Sequence, residues 1–394
     1  MKRIFFVLSM LICLKLSAQP VNYVGPDFAQ GFYDQYSKNF LNSDMAGRGH
    51  TGIALTGGAD YGIHNPASML DKYASLNMEF IVKGNIKEFN QYDNHKYQSP
   101  APIGSLALTF KPLHNTHFGL SYSLVNSLKY YSFVRSIPQI GTTVDYQPTY
   151  ENHQFTLTTS QEINEHLSVG INSILNMQNF GEYRNEGKVD LLRFRRYFFR
   201  LQPGILYQSQ TFNAGLSYIH SADVDYKHKY VDYTMTIPSE IKAGVSINLP
   251  KEFFIMAETD YTMYSEQANY MKDQMILKLG TEKRFGNPFQ IVGDYSLKAG
   301  FIYSPKIFEG SYHVPNYSAP DMSEFHYDFY AAIPSTGNIK TADMGLLTVG
   351  TSVRIKKDVE LNIAYISAIM GDIKLNQFMT SLKFDLAVFN NLKK

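Results

Sequence analysis

Fourteen segments of this chain alternate apolar and polar residues with a period of two, the period of a β-strand with one face buried. Val359, Leu361, Ile363, Tyr365 and Ile369 share one face, and Glu360, Asn362 and Ala364 take the other. Phe378, Thr380, Leu382 and Phe384 likewise oppose Ser381, Lys383 and Asp385. The same pattern predicts strands over 75–83, 102–110, 117–126, 150–160, 167–178, 194–207 and 212–220. It continues over 238–248, 253–264, 274–284, 291–304, 344–355, 359–369 and 376–389. The number is even, and the lengths reach the ~9–11 residues that a tilted strand needs to cross a bilayer.

The connections sort into two classes. From the second strand on, every other link is short: 111–116, 161–166, 208–211, 249–252, 285–290 and 356–358. The links between them, 84–101, 127–149, 179–193, 221–237, 265–273 and 305–343, are long, and only 370–375 departs from the rule. Transmembrane barrels have this asymmetry, with tight turns at one end and long loops at the other. A soluble sandwich mixes loop lengths at both ends. The expected fold is therefore all-β: a 14-stranded antiparallel transmembrane β-barrel.

The start of the chain fits export. Lys2 and Arg3 precede the apolar run Ile4–Leu14, and Leu16-Ser17-Ala18 offers small residues for cleavage before Gln19. Residues 1–18 are read as a signal peptide, with an N-terminal anchor as the alternative. Their removal takes away Lys2, Arg3, Lys15 and Cys13, so the net charge moves from +1 to −2 and no cysteine is left. Disulfide frameworks and thiol chemistry are thereby excluded. A charge so near zero gives no footprint for nucleic acid. No apolar run after residue 18 reaches the ~18 residues of a membrane helix.

Glycine recurs on the polar face. Phe118-Gly-Leu-Ser-Tyr122, Ala214-Gly-Leu-Ser-Tyr218, Ala243-Gly-Val-Ser-Ile247 and Ala299-Gly-Phe-Ile-Tyr303 share one pattern, and Gly170, Gly280 and Gly350 fit more loosely. Two explanations stand at this point: a body packed closely against the inner wall, or relief of barrel curvature. Glu79, Lys242, Glu258, Asp260, Lys278, Glu282 and Lys298 lie on the same face. Lys or Arg facing lipid at the midplane costs roughly 2–4 kcal/mol, so this face turns to a hydrated lumen. Residues 19–74, before the first strand, are assigned as an N-terminal hatch (plug) inside that lumen, and 75–394 as the barrel. A tail or small domain outside the barrel is the alternative for 19–74.

Gly47-Arg-Gly-His-Thr-Gly-Ile-Ala-Leu-Thr-Gly-Gly-Ala-Asp-Tyr-Gly-Ile-His-Asn-Pro-Ala-Ser-Met69 resembles the plug segment of the long-chain fatty acid transporter family, which includes the aromatic-hydrocarbon channels. The matching residues are Gly47, Gly49, Gly52, Asp60, Asn65, Pro66 and Ala67. Ile237–Leu249 followed by Phe253–Tyr264 is similar to a strand pair of that family. The resemblance spans about residues 45–389. It implies a monomeric barrel in the outer membrane of a Gram-negative bacterium, surrounded by lipid and lipopolysaccharide, that passes small hydrophobic or amphipathic molecules such as fatty acids without a cofactor. Ser68 departs from the glycine usual after Asn-Pro-Ala. The polar loops 179–193 and 221–237 depart from the apolar capture groove of the fatty acid members.

Arg193-Phe-Arg-Arg-Tyr-Phe-Phe-Arg200 is the most pointed local feature. If Tyr197, Phe199, Leu201 and Ile205 face lipid, Arg196 and Arg200 face the lumen. Two guanidiniums there would hold a carboxylate through bidentate hydrogen bonds. Lys298 joins them as a candidate substrate-binding residue, and pairing with hatch carboxylates is the structural alternative. No G-x-S-x-G, phosphate loop or H-E-x-x-H occurs, which argues against an enzyme. A second functional reading comes from the similarity of this barrel type to shuttle and scaffold barrels of type IX secretion. In that reading an exported protein binds the aromatic-rich loop 305–343.

Overall fold

The structure, a computed structural model, describes residues 22–23, 38–71 and 74–386, apart from 84–85, 88–95, 99–102, 114, 131–132, 138–141, 185–188, 229–230, 268–270, 287–291, 308–311, 314–342, 356–358 and 372–375. The expected signal peptide 1–18 lies outside the described residues. So does the loop 305–343, except for 305–307, 312–313 and 343.

Fourteen strands close into one antiparallel ring. The first seven are β1 Ser75–Lys83, β2 Ile103–Leu113, β3 Thr116–Tyr130, β4 Thr142–Glu162, β5 Leu167–Arg184, β6 Val189–Gln208 and β7 Phe212–Ile219. The rest are β8 Glu240–Leu249, β9 Phe253–Thr262, β10 Gln274–Phe285, β11 Val292–Ser304, β12 Met344–Ile355, β13 Val359–Met370 and β14 Asn376–Asp385. Each strand pairs with its sequence neighbours. The seam is β1 against β14, from Ser75↔Asp385 to Lys83↔Gln377. The ring leaves no open edge, so each strand finds backbone partners on both sides, as hydrocarbon surroundings demand.

The alternation in the sequence becomes inside and outside. On β10, Leu277 and Leu279 are exposed on the outer face, whereas Lys278 and Glu282 between and beyond them are buried inside. Tyr197, Phe199, Leu201 and Ile205 of β6 are exposed outward as expected, and Arg200 points in. Among the described residues no helix is long and apolar enough to cross a membrane.

Three expected loops are instead largely strand. The link 179–193 shrinks to 185–188, because β5 and β6 continue to pair as far as Arg184↔Val189. Most of 127–149 belongs to β3, to β4 and to a short strand Phe133–Ile137 paired with β4. Backbone pairing does not depend on which face of a hairpin is apolar, so the ladder runs on after the alternation has faded. The loop 221–237 is also a hairpin, Ala222–His228 against Val231–Ile237. Read from the sequence as short and polar, it nevertheless buries Val224, Met235 and Ile237. They lie on alternate positions of the two strands and give this hairpin an apolar side.

Candidate functional site

Residues 38–71 run along the inner surface of the ring. The segment has little regular structure: helices α1 (Ser43–Ala46) and α2 (Ala59–Gly62), and a 3-10 turn at Pro66–Ser68. Asn42 caps α1: its side chain accepts from Met45 N at 3.1 Å and donates to Asp60 of α2 at 3.1 Å. Asn65 caps the 3-10 turn, accepting from Ala67 N at 3.1 Å and donating to Ile53 O at 2.9 Å. Pro66 occupies the first position of that turn, where the absent N–H costs nothing. Ser68, the departure from the family pattern, is buried and donates to Ile53 O at 3.3 Å.

The wall glycines are the seats of this segment. A Cβ on Gly170 would lie 2.5 Å from Pro66 C and 2.7 Å from Ala67 N. One on Gly204 would strike Asn65 and Pro66, and one on Gly215 would strike the Ile53 backbone. One on Gly280 would strike Arg48 O, and one on Gly300 the Gly49 backbone. From the other side, a Cβ on Gly47 would lie 2.9 Å from Gly350 Cα. Three register pairs, Gly170↔Gly204, Gly215↔Gly244 and Gly280↔Gly300, double the bare patches across neighbouring strands. Of the two explanations open in the sequence, close approach is the one the structure bears out.

Carboxylates of the wall hold the segment's backbone. Glu79 on β1 accepts from Asn42 N at 2.8 Å and also from Ser43 N. Glu258 on β9 accepts from Gly52 N at 2.7 Å and Ile53 N at 3.0 Å. Arg48 is 1% exposed and reaches Asp44 at 2.8 Å and Glu282 at 2.9 Å. Burial would raise the Asp44 carboxyl, but Arg48 and Lys298 hold it well below the usual carboxylate range. Paired in this way, the buried charges satisfy one another.

Towards the long-loop end the segment floors a cavity of about 170 Å³. Its apolar wall includes Phe40, Ile63, Phe198, Ile219, Ile237 and Leu346. His50, His64, Asn152, Gln178, Arg200 and Lys242 supply polar lining. Burial keeps both imidazoles well below their usual pKa, so they are neutral, with ring centroids 4.9 Å apart. At one side of the floor, Asn39 donates from its backbone to Val125 O at 2.7 Å and from its side chain to Leu124 O at 2.6 Å. These carbonyls sit where β3 slips register against β4, between Leu124 and Asn126.

Of the three candidate substrate-binding residues, Arg200 lines the cavity. It donates to His220 O at 2.8 Å and Pro238 O at 2.7 Å, and approaches Glu240 at 3.5 Å. Lys298 lies away from the lining, ion-paired to Asp44 and bonded to Ser352. Arg196, half-buried, donates to Arg195 O at 3.3 Å, and it too lies away from the lining. The structure therefore separates the three. Lys38, His50, His64 and Phe198 were not anticipated as lining residues. Phe198 was legible, since it shares the inward parity of Arg196 and Arg200. Lys38 carried no local signal.

The sequence matches no protein-family model and no curated protein. Solved structures do share its architecture. A Pseudomonas aeruginosa FadL homologue is 12% identical, covers 88% of this chain and 98% of its own, and superposes with a TM-score of 0.60. The Pseudomonas putida toluene transporter TodX is 12% identical over 88% of this chain and 96% of its own, with a TM-score of 0.56. The CymD monoaromatic hydrocarbon channel is 13% identical over 87% and 96%, also at 0.56. The chain thus has the fold of FadL-like outer-membrane transporters.

Proposed function

We propose that this protein is a passive channel for small hydrophobic or amphipathic molecules in the outer membrane of a Gram-negative bacterium. In this reading residues 19–74 form its hatch. The observation that carries the reading is the cavity: an apolar-walled chamber inside a lipid-facing barrel, near its long-loop end and floored by residues 38–64. The likeness in fold to structures described as hydrocarbon channels and a toluene transporter supports it.

A ligand enters from the long-loop end, exchanges water for the apolar wall, and waits on the floor. Passage then requires the floor to move, because the segment lies directly against the wall at the glycine seats. Lys38–Leu41 is held to the wall by polar bonds and not by glycine seats: Asn39 bridges to the irregular stretch of β3, and Phe40 O accepts from Gln377. Transport of this kind runs down a gradient.

The test is a reversible lock. Asn39 Oδ1 and Ser127 Oγ are 3.3 Å apart. In an Asn39→Cys/Ser127→Cys protein, whose mature form has no other cysteine, oxidation should stop uptake of labelled toluene by intact cells, and reductant should restore it. Undiminished uptake after complete cross-linking would show that the segment is not the gate.

A further inference from the structure

The cavity contains an uneven set of charges. Its cations are Lys38, Arg200, Lys242 and Lys278, and its anions are Glu240 and Asp260. Glu258 lies just outside the lining and shares Lys278 with Asp260, at 2.8 and 2.6 Å. Glu240 is shared by Arg200 at 3.5 Å and Lys242 at 3.6 Å. With these partnerships made, four cations face three carboxylates, and Lys38 is the remainder. Among the described residues Lys38 makes no ion pair; Glu240 and Asp260 act on it only through space.

Lys38 is half-buried, and burial lowers its pKa, with Lys242 and Lys278 adding to that effect and Glu240 and Asp260 opposing it. His64 Nε2, on another lining residue, is buried and has no hydrogen-bond partner among the described residues. A pure hydrocarbon in this space would displace water from the Lys38 ammonium and return nothing to it. Groups left buried without partners cost about 1–3 kcal/mol each, more when charged. Sites that contain such groups discriminate strongly for ligands that satisfy them. The volume sets the other limit: a cavity of roughly 150 Å³ accommodates benzene, so 170 Å³ suits a single ring or a body of that size.

We propose that the cavity selects compact amphipathic monoanions, a ring-sized apolar body bearing one carboxylate, and that Lys38 is the specificity-determining residue that receives the carboxylate. The ring would lie against Phe198, Ile219 and Ile237, and the carboxylate would meet the Lys38 ammonium. A cationic ligand is disfavoured, because Glu240 and Asp260 are already engaged. The inference rests on the channel reading and narrows it.

Benzoate, benzyl alcohol and toluene share a ring and differ in the polar group, so they separate the possibilities. Binding to the full-length mature barrel in nanodiscs, measured by calorimetry, should favour benzoate over benzyl alcohol by about tenfold or more, the expected gain from one charge-assisted hydrogen bond. Lys38→Gln should reduce the benzoate-to-toluene affinity ratio at least tenfold, and Lys38→Arg should preserve it. Heat-modifiable gel migration reports that each variant is folded. Equal binding of toluene and benzoate, or a ratio unaltered in Lys38→Gln, overturns the assignment and leaves the channel reading standing. Failure of all three compounds to bind overturns both.

Discussion

Gly49 rests its backbone on Gly300, and neither residue has room for one methyl group. Gly49 also has φ +73°, a region that residues with a Cβ rarely adopt. Its N–H donates to Thr348 Oγ1 at 2.8 Å. Gly300 faces Gly280 across the β10–β11 pair, so this part of the wall is bare backbone. A side chain at Gly300 must move the segment, since backbone atoms cannot turn aside as a flexible side chain would. Gly300→Val is therefore expected to assemble as a barrel yet release residues 47–49. Limited proteolysis should cut this region at least tenfold faster than in the parent protein, with the ring strands still protected.

Glu79 and Glu258 each hold two consecutive amides. Glu79 gives each amide its own oxygen, so Gln there leaves a buried N–H without its partner. Glu258 holds both amides on one oxygen and Lys278 on the other. Gln there removes the charge that strengthens both bonds and the acceptor of Lys278, a loss of about 1–3 kcal/mol in either case. Hydrogen exchange should read this locally. In Glu79→Gln the Asn42 and Ser43 amides should exchange about ten- to a hundredfold faster, and in Glu258→Gln the Gly52 and Ile53 amides should do so. Uniform acceleration across the whole segment would mean that it opens as one unit and that the two anchors are not separable.

Asp60 gives the segment a pH dependence. One carboxylate oxygen accepts from Asn42, and the other has no partner among the described residues. Burial raises its pKa to about 6; Lys383 opposes the rise, and Asp71 and Asp44 add to it. Glu79 faces the same cluster. The folded protein thus keeps a proton that the unfolded chain loses near pH 4. Its contribution to stability falls as pH rises from about 4 to about 6 and is level above that. Asp60→Asn should remove this slope. Segment proteolysis at pH 5 and pH 7 should show a smaller pH effect in the variant than in the parent, and an equal effect would assign the dependence to other groups.

Leu279 and Lys278 are neighbours on β10 with opposite fates, one 56% exposed outside and the other 4% exposed inside. If the outer face meets hydrocarbon, Leu279→Lys should cost roughly 2–4 kcal/mol in a lipid bilayer. Urea titration of the refolded barrel in vesicles measures that cost. A value near zero would place this face in water and remove the membrane reading.

The period of two made most of the ring legible. β1 and β12 coincide with the segments read from the sequence, 75–83 and 344–355, because an apolar outer face and polar contents inside impose opposite chemistry on adjacent residues. The rule weakened at 179–184 and 189–193, where backbone pairing continues after the alternation has faded. The inward position of Lys298 was legible, but its partner Asp44 lies 254 residues away, and no spacing rule joins them. The grips of Glu79 and Glu258 were invisible for another reason. Each takes hold of main-chain amides, which every residue but proline possesses, so the partner leaves no mark in the sequence.

The seam between β1 and β14 has a further consequence. Leu386 N meets Ala74 O at 2.8 Å, so the ring is completed only by its most distant parts in sequence. A chain still emerging, or one cut short before Asn376, is not a smaller cylinder but a curled ribbon with two bare margins. Its margins stay unpaired until Asn376–Asp385 arrives, so closure of the cylinder waits on the last strand.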